Sequence, residues 1–442
     1  METIVAALGG TAWTVVFFVI ALSVIVFVHE YGHYIVGRWS GIHSEVFSVG
    51  FGPVLFSRTD KRGTKWQFAA IPFGGFVKFM GDNDATSVRS GDVAGLSDEE
   101  RRHTMAGAPL WARTATVAAG PVFNFILTFF LLVGLSLFLG APRDEPTVGT
   151  LRDFPFEGPT LAPGDVIKAV EGQATPTWEA FRSVTEALKG QVTLAYTVQR
   201  GDQEVVVNGP HPLAPVVGEV QIRSAAMDAG IQEGDIILKA GGQDVRFFDE
   251  LPEIVSASKG EPVALTVWRD GQTFDVSLAP RIRTVDDGDG GFTERYLLGL
   301  YSGMFFEPAV RSIGPWEAAT GAGQSMWLMT TTTFSGLWHM IQGAISSCNL
   351  SGAIGMAETA GDAARNGLES FIGMLAILSF GVGLLNLFPI PVLDGGHLVF
   401  YAYEAVVRRK PSDRALRVLM TLGLSVVLTI MLFGLSRDLM CQ

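Results

Sequence analysis

Four stretches of this chain stay apolar for nearly the thickness of a bilayer, and the segments between them alternate or turn. Thr11 to Val28 (TAWTVVFFVIALSVIVFV) holds no charge and sits in an apolar run over about 11–37. Others run from Ala115 to about Leu139, from about Phe371 to Phe388, and from about Leu416 to Leu435. A spanning helix needs roughly 20 apolar residues, so the pattern predicts four membrane spans. The third is interrupted: GVGLLNLFPIPVLDGGH sets Asn386, Pro389, Pro391, Asp394, Gly395 and Gly396 where a regular helix cannot continue. Broken backbone at membrane depth persists only where it lines a cavity or packs against protein. Between the first two spans, KWQFAAIPFGGFVKFMG (65–81) reads as two strands around Gly74-Gly75. Gly74, Gly75, Phe76 and Val77 then form an edge on which an extended substrate can add as a further strand.

The middle of the chain repeats with a period of 70 residues. Gly164-Asp165-Val166-Ile167 returns as Gly234-Asp235-Ile236-Ile237, Gly190 as Gly260, and Gly201 as Gly271. Each copy has alternating strands (VTLAYTV; VALTVWR) and a charged turn (QRGDQ; RDGQT), which predicts two α+β domains over 143–213 and 214–283. Residues 284–367 read as an amphipathic region at the membrane surface, because WLMTTTTFSGLWHMIQGAISSCNLSGAIGMAETAG mixes Trp and Met with Thr and Gly. Residues 1–142 and 368–442 carry two spans each.

Composition agrees: 17% of the residues are charged and mean hydropathy is +0.32, against ~25% charged in soluble domains. The net charge of −12 argues against a nucleic-acid partner. Cys348 and Cys441 suit neither a disulfide scaffold nor a Cys-ligated metal. No cleaved signal peptide is expected, since residues 1–12 contain Glu2 and no Lys or Arg. Arg408, Arg409, Lys410, Arg414 and Arg417 crowd the link between spans three and four; Arg38, Arg101, Arg102 and Arg113 flank that between spans one and two. The positive-inside rule puts both links in the cytoplasm and the acidic middle segment outside.

The candidate chemistry stands at the end of the first span. His29-Glu30-Tyr31-Gly32-His33 is an HExxH motif. Positions i and i+4 of a helix share a face and rise only ~6 Å, so both imidazoles can reach one tetrahedral ion. Glu30 beside them can take a proton from an attacking water. Two histidines leave a zinc site short of one protein ligand. Asp394 in the broken span is the best candidate, with His397 as competitor, because His/His/carboxylate leaves one position open for water. The other histidines, His211 included, read as ordinary polar residues. Buried charges and broken helices also mark transporters, but matched broken segments in two halves are missing. A silent peptide-binding scaffold has no need of Glu30.

HEYGH at the end of a first span, with NLFPIPVLDGGH in a later one, resembles the site-2 protease family of intramembrane metalloproteases. PFGGFVKFMG (72–81), AGPVFNF (119–125) and NLSGAIGMAETAG (349–361) add to the resemblance, which spans nearly the whole chain. The two repeats resemble PDZ domains, the first without the small-residue helix that AAMDAGIQEGD offers the second. The resemblance implies a polytopic α-helical bacterial inner-membrane protease with two periplasmic PDZ-like domains and a Zn2+ site toward the cytoplasmic side. His29, His33 and Asp394 would hold zinc, Glu30 would be general base, and Asn386 would hold the substrate backbone or oxyanion. The implied substrates are single-span membrane proteins of the anti-sigma-factor type, trimmed beforehand, and remnant signal peptides. The PDZ-like pair would bind peptides or exclude bulky ectodomains.

Overall fold

A computed structural model describes residues 2–81, 97–155, 160–286, 292–346, 348 and 351–440. The chain divides into two compact units, one comprising residues up to 135, 319–329 and 350 onward, the other 136–318 and 330–349.

The first unit is helical. It contains α1 (Glu2–Trp39), the short α2 (Asp98–Arg102), most of α3 (Leu110–Leu139), α8 (Ala353–Arg365), α9 (Leu368–Asn386), α10 (Asp394–Val407) and α11 (Asp413–Met440). Within α1, α3, α9 and α11 the segments Gly10–Trp39, Leu110–Leu139, Leu368–Asn386 and Arg414–Met440 are long and apolar enough to cross a membrane. The chain is thus a polytopic membrane protein with β-rich segments inserted between its spans. Small residues bring the helices together, as expected where apolar surface alone gives no preference for protein over lipid. α8 lies against α1, with Trp13 Nε1 donating to the Gly361 carbonyl at 3.2 Å. The buried carboxylate of Asp438, near the end of α11, accepts from the backbone N–H groups of Gly352, Ile354 and Gly355 at 2.9, 3.0 and 3.1 Å. It satisfies the open donors at the start of α8.

β1 (Ser44–Thr59) and β2 (Lys65–Phe79) follow α1, and they correct the hairpin expected over 65–81. The two halves of β2 are separate pairing segments, but they do not pair with each other. Residues 44–49 lie between them: Phe47 is opposite Val77 on one side and Trp66 on the other. The tight turn is at 60–64, where Asp60 Oδ1 accepts from the N–H groups of Arg62 and Thr64 at 2.8 and 3.1 Å. Gly74, at φ +127°, bends the strand instead of reversing it. Phe47, Val49, Val77 and Phe79 pack with Tyr34, Ile42, Ala112 and Val117, seating this sheet on α1 and α3. Its far end exposes Leu55 and Phe56.

The second unit holds both repeats. β5 (Val166–Val170), β6 (Gln173–Ala174), β7 (Thr193–Arg200) and β8 (Gln203–Pro210) form a sheet of order β6-β5-β7-β8, with α4 (Trp178–Ala187) beside it. β10 (Ile236–Ala240), β11 (Gln243–Asp244), β12 (Val263–Arg269) and β13 (Gln272–Leu278) repeat the order, accompanied by α5 (Ala225–Asp228) and α6 (Leu251–Ala257). The recurring Gly-Asp is structural. Asp165 and Asp235 are each 1% exposed. Asp165 accepts from Ala162 N–H at 2.8 Å and takes both arms of Arg200 at 2.8 and 2.7 Å. Asp235 does the same with Gln232 at 2.8 Å and Arg269 at 2.6 Å. A buried carboxylate is tolerable because every contact is charge-assisted.

Neither repeat is closed by its own residues. β14 (Arg281–Asp286) and β15 (Phe292–Leu297) form a hairpin. Then β16 (Leu300–Ser302) pairs with β9 (Val217–Val220) in the second repeat, and β17 (Phe306–Pro308) with β4 (Val148–Leu151) in the first. β18 (Val310–Arg311) pairs with β3 (Ala141–Pro142) at the base. The repeats are nested, and the single amphipathic region expected over 284–367 is corrected: its first part is β-structure in the inserted unit. Strands of two or three residues carry no readable alternation. Only from α7 (Pro315–Ile341) does the amphipathic reading apply. There Trp316, Trp327 and Trp338 are exposed at intervals of eleven residues, three turns of helix, and so share one face. Cys348 is disulfide-bonded, against the expectation from two widely spaced cysteines; Cys441 lies outside the described residues.

His211 also departs from its reading as an ordinary polar residue. It is 1% exposed, its Nε2–H donates to the Thr185 carbonyl at 3.0 Å, and its Nδ1 accepts from Leu213 N–H at 3.0 Å. Phe247 packs on its ring, so the imidazole joins α4 of the first repeat to the start of the second. Burial lowers its pKa below the usual ~6.5. The unfolded chain therefore takes up the proton first as pH falls. The stabilisation is complete above ~6.5 and is lost as pH drops toward the folded value. Amide exchange at Leu213 is expected to accelerate on acidification through this window and to become pH-independent, after correction for intrinsic rates, in His211→Phe.

Candidate active site

The backbone around Asp394 explains the broken span. α9 stops at Asn386, residues 387–393 turn, and α10 begins at Asp394 itself, with Leu393 as its extended N-cap. A Cβ on Gly395 would overlap the Leu387 and Phe388 carbonyls, so the turn closes only over glycine. This returns the chain to α1, where His29 and His33 stand one turn apart.

Three ligand atoms meet there. The Nε2 atoms of the two histidines are 3.2 Å apart, and Asp394 Oδ2 lies 3.1 Å from one and 3.5 Å from the other. A tetrahedral zinc site with donors at ~2.0–2.1 Å has donor–donor edges of ~3.3 Å, which these separations bracket. Among the described residues this is the single group of three or more His, Cys or carboxylate side chains close enough to hold an ion. Asp394 Oδ2 is buried and meets no donor in hydrogen-bonding geometry. Atoms so placed repel one another unless a cation sits between them. The residues present fit a zinc ion.

α3 sets which imidazole nitrogens face inward. His33 Nδ1–H donates to the Thr116 carbonyl at 2.9 Å, leaving the Nε2 lone pair toward Asp394. His29 Nδ1 lies 3.2 Å from the Asn124 amide, whose Oδ1 is the buried atom without a partner. Turning that amide end for end lets Oδ1 accept from His29 Nδ1–H. Ser379 Oγ and Thr128 Oγ1 donate to the Asn124 carbonyl at 2.9 and 3.0 Å, fixing this part of α3 against α9. Gly120 lies directly under the histidines, and a Cβ there would overlap the His33 ring.

The trio opens into a cavity of about 750 Å³ whose walls include Glu30, Gly75, Phe76, Val77, Asn386 and His397. α11 contributes Met420, Thr421 and Leu424. A Cβ on Gly75 would come within 3.1 Å of Glu30 Cγ. The later half of β2 thus passes directly over Glu30. Of the residues expected to hold metal, base, oxyanion or substrate strand, Gly74 alone stays off the cavity wall, packed on Phe51. His397 lines the cavity but stands outside the ligand trio. Thr116 was missed because a backbone carbonyl has no residue-type signature. Gly120 and Asn124 lie within AGPVFNF, where small residues and an Asn in a span signal helix packing, and both also bear on the histidines.

Residues 17–430 match the model of peptidase family M50, and so take in both HEYGH and LDGG. The chain belongs to this family. It is a zinc metallopeptidase of the site-2 protease kind, and zinc is its cofactor. A protein of Agrobacterium fabrum named as a zinc metalloprotease is 35% identical over 99% of both chains. The regulator of sigma-E protease RseP of Salmonella typhimurium is 34% identical, with 96% of this chain and 97% of that one aligned. RseP of Escherichia coli is 33% identical over the same shares.

Gly120→Ala is expected to push the imidazoles out of register. Zinc in the purified protein should fall more than about tenfold at unchanged helical circular dichroism; stoichiometric zinc would contradict the placement of Gly120 beneath the ligands.

Proposed function

We propose that this chain is an intramembrane endopeptidase that cuts single-span membrane proteins, with zinc held by His29, His33 and Asp394 and with Glu30 as general base. The observation that carries the reading is the convergence of three donor atoms from two apolar helical segments on one point, with a buried carboxylate oxygen left without a hydrogen bond. Zinc held by His29, His33 and Asp394 would supply Lewis acidity, polarising the scissile carbonyl and bringing the pKa of the attacking water toward neutrality. Glu30 accepts that water's proton and returns it to the leaving amine. Asn386, on the cavity wall, donates to the substrate backbone or to the oxygen that gains charge.

A helical substrate hides its carbonyls in its own hydrogen bonds and must unwind before attack. Among the described residues, 75–79 pair with 44–49 alone, which leaves the outer edge of Gly75-Phe76-Val77 for an unwound segment to join.

The inserted unit would screen substrates. Positive residues clustered in the links between spans one and two and between spans three and four favour a cytoplasmic placement of those links and of the HEYGH end of α1. The insert then lies in the periplasm of a bacterial inner-membrane protein. Its repeats are read as PDZ-like. In the second, Leu251, Pro252 and Val255 of α6 face Leu298-Gly299-Leu300-Tyr301 across a pocket of about 140 Å³, a place for a peptide end beside β16. The matching place in the first is filled by Trp178, Phe181, Phe305 and Phe306. Similarity to proteases named as regulators of sigma-E is consistent with a substrate in sigma-factor control. The substrate class proposed is a trimmed, single-span anti-sigma factor, with remnant signal peptides as a second class.

Glu30→Gln is expected to retain zinc and lose at least about a thousandfold in cleavage of a model transmembrane peptide; residual turnover near wild type would sink the assignment of Glu30. Nested closure sets the boundaries of the second test. Residues 143–309 are replaced by a short Gly-Ser linker, joining β3 to β18, which already pair. This variant should cleave substrates that still carry their ectodomain. Continued strict dependence on prior trimming would remove the screening role.

A further inference from the structure

Two rows of side chains meet behind the site. On α10, Asp394, His397, Tyr401 and Glu404 follow at spacings of three, four and three, so they share one face. On α3, Arg113, Thr116, Gly120 and Asn124 do the same at three, four and four. The last three of these lie against the histidines. Arg113 instead crosses to α10. Its Nη1 and Nη2 donate to Glu404 Oε2 and Oε1 at 2.9 and 2.8 Å, its Nε donates to the Ala108 carbonyl at 3.1 Å, and its guanidinium stands 5.1 Å from the centre of the Tyr401 ring. Arg113 is 7% exposed.

We infer that Arg113 and Glu404 are a positioning pair that fixes the rotation and height of α10, and through it the place of Asp394 against the two histidines. This rests on the ligand assignment given above. A buried ion pair is a costly way to hold two helices, and well-packed apolar side chains of similar volume often hold them as well or better. What a bidentate pair adds is geometry, because a planar fork on a carboxylate permits little rotation or sliding. The site needs that restriction. A carboxylate oxygen ~5 Å from the axis of α10 moves ~0.9 Å when the helix turns by ~10°. Metal–ligand distances tolerate ~0.2 Å. α3 therefore references both halves of the site to one rod: Thr116 and Asn124 orient the imidazoles, and Arg113 sets the aspartate.

The test uses the purified full-length chain with Glu404→Gln, Arg113→Gln and the exchanged pair Arg113→Glu/Glu404→Arg. Zinc affinity is read by chelator competition, ligand geometry by visible absorption after cobalt substitution, and folded fraction by thermal unfolding. The glutamine variants should lose about tenfold in zinc affinity and show an altered cobalt spectrum while still folded, and the exchanged pair should recover most of both. Unchanged affinity and spectrum, or a zinc loss no greater than the unfolded fraction, would overturn the inference. His33→Ala serves as reference: if it keeps its zinc, the ligand assignment fails instead.

Discussion

Lone pairs of two imidazoles and one carboxylate are aimed at a single point inside an apolar bundle, and the rest of the helical unit is arranged to keep them there. Left to themselves these atoms would separate and seek water. They are held by helices whose own backbone needs are already met: α1 presents the histidines one turn apart, and α3 backs them through Thr116 and Asn124. The turn over 387–393 lets α10 begin at the aspartate. Zinc held there, as proposed, would offset the cost of this assembly, and the site and the fold of the bundle would then stabilise each other.

Much of this was legible in the chain because the relevant signals are strong and local. Uncharged runs of bilayer length mark helices wherever they occur, and a His pair at helical spacing needs no tertiary information to share a face. Asp394 could be picked out because a carboxylate among prolines and glycines in an apolar run has few bland explanations. The misreadings have physical causes too. Gly74-Gly75 signals a bend as readily as a reversal, and the strand that separates the halves of β2 lies upstream at 44–49. His211 looked like a loop residue because nothing in its neighbours foretells that Thr185 and Leu213 will enclose it. The recurring Gly-Asp was visible as a repeat, but its purpose needed the arginines found 35 and 34 residues on.

The two units solve burial by different means. The bundle keeps charge to the ends of its spans, with Glu30 of the site as the exception. The inserted domains bury one aspartate each and neutralise it with a forked arginine drawn from the following strand pair. In both, an ionised group is admitted only where geometry has to be exact in register, and apolar packing supplies the remainder.

Nesting has a consequence for how the protein comes into being. The residues that complete β4 and β9 arrive last, at 300–308, after both repeated sheets have been made. While the ribosome is still upstream of that point, each half-built domain carries a bare strand margin, the kind of surface that recruits other chains. Maturation must therefore run from the inside outward, β16 docking before β17 and β18 zipping the base. A nick between β16 and β17 would leave the second domain's closing strand on its own piece of chain and put the first domain's on another.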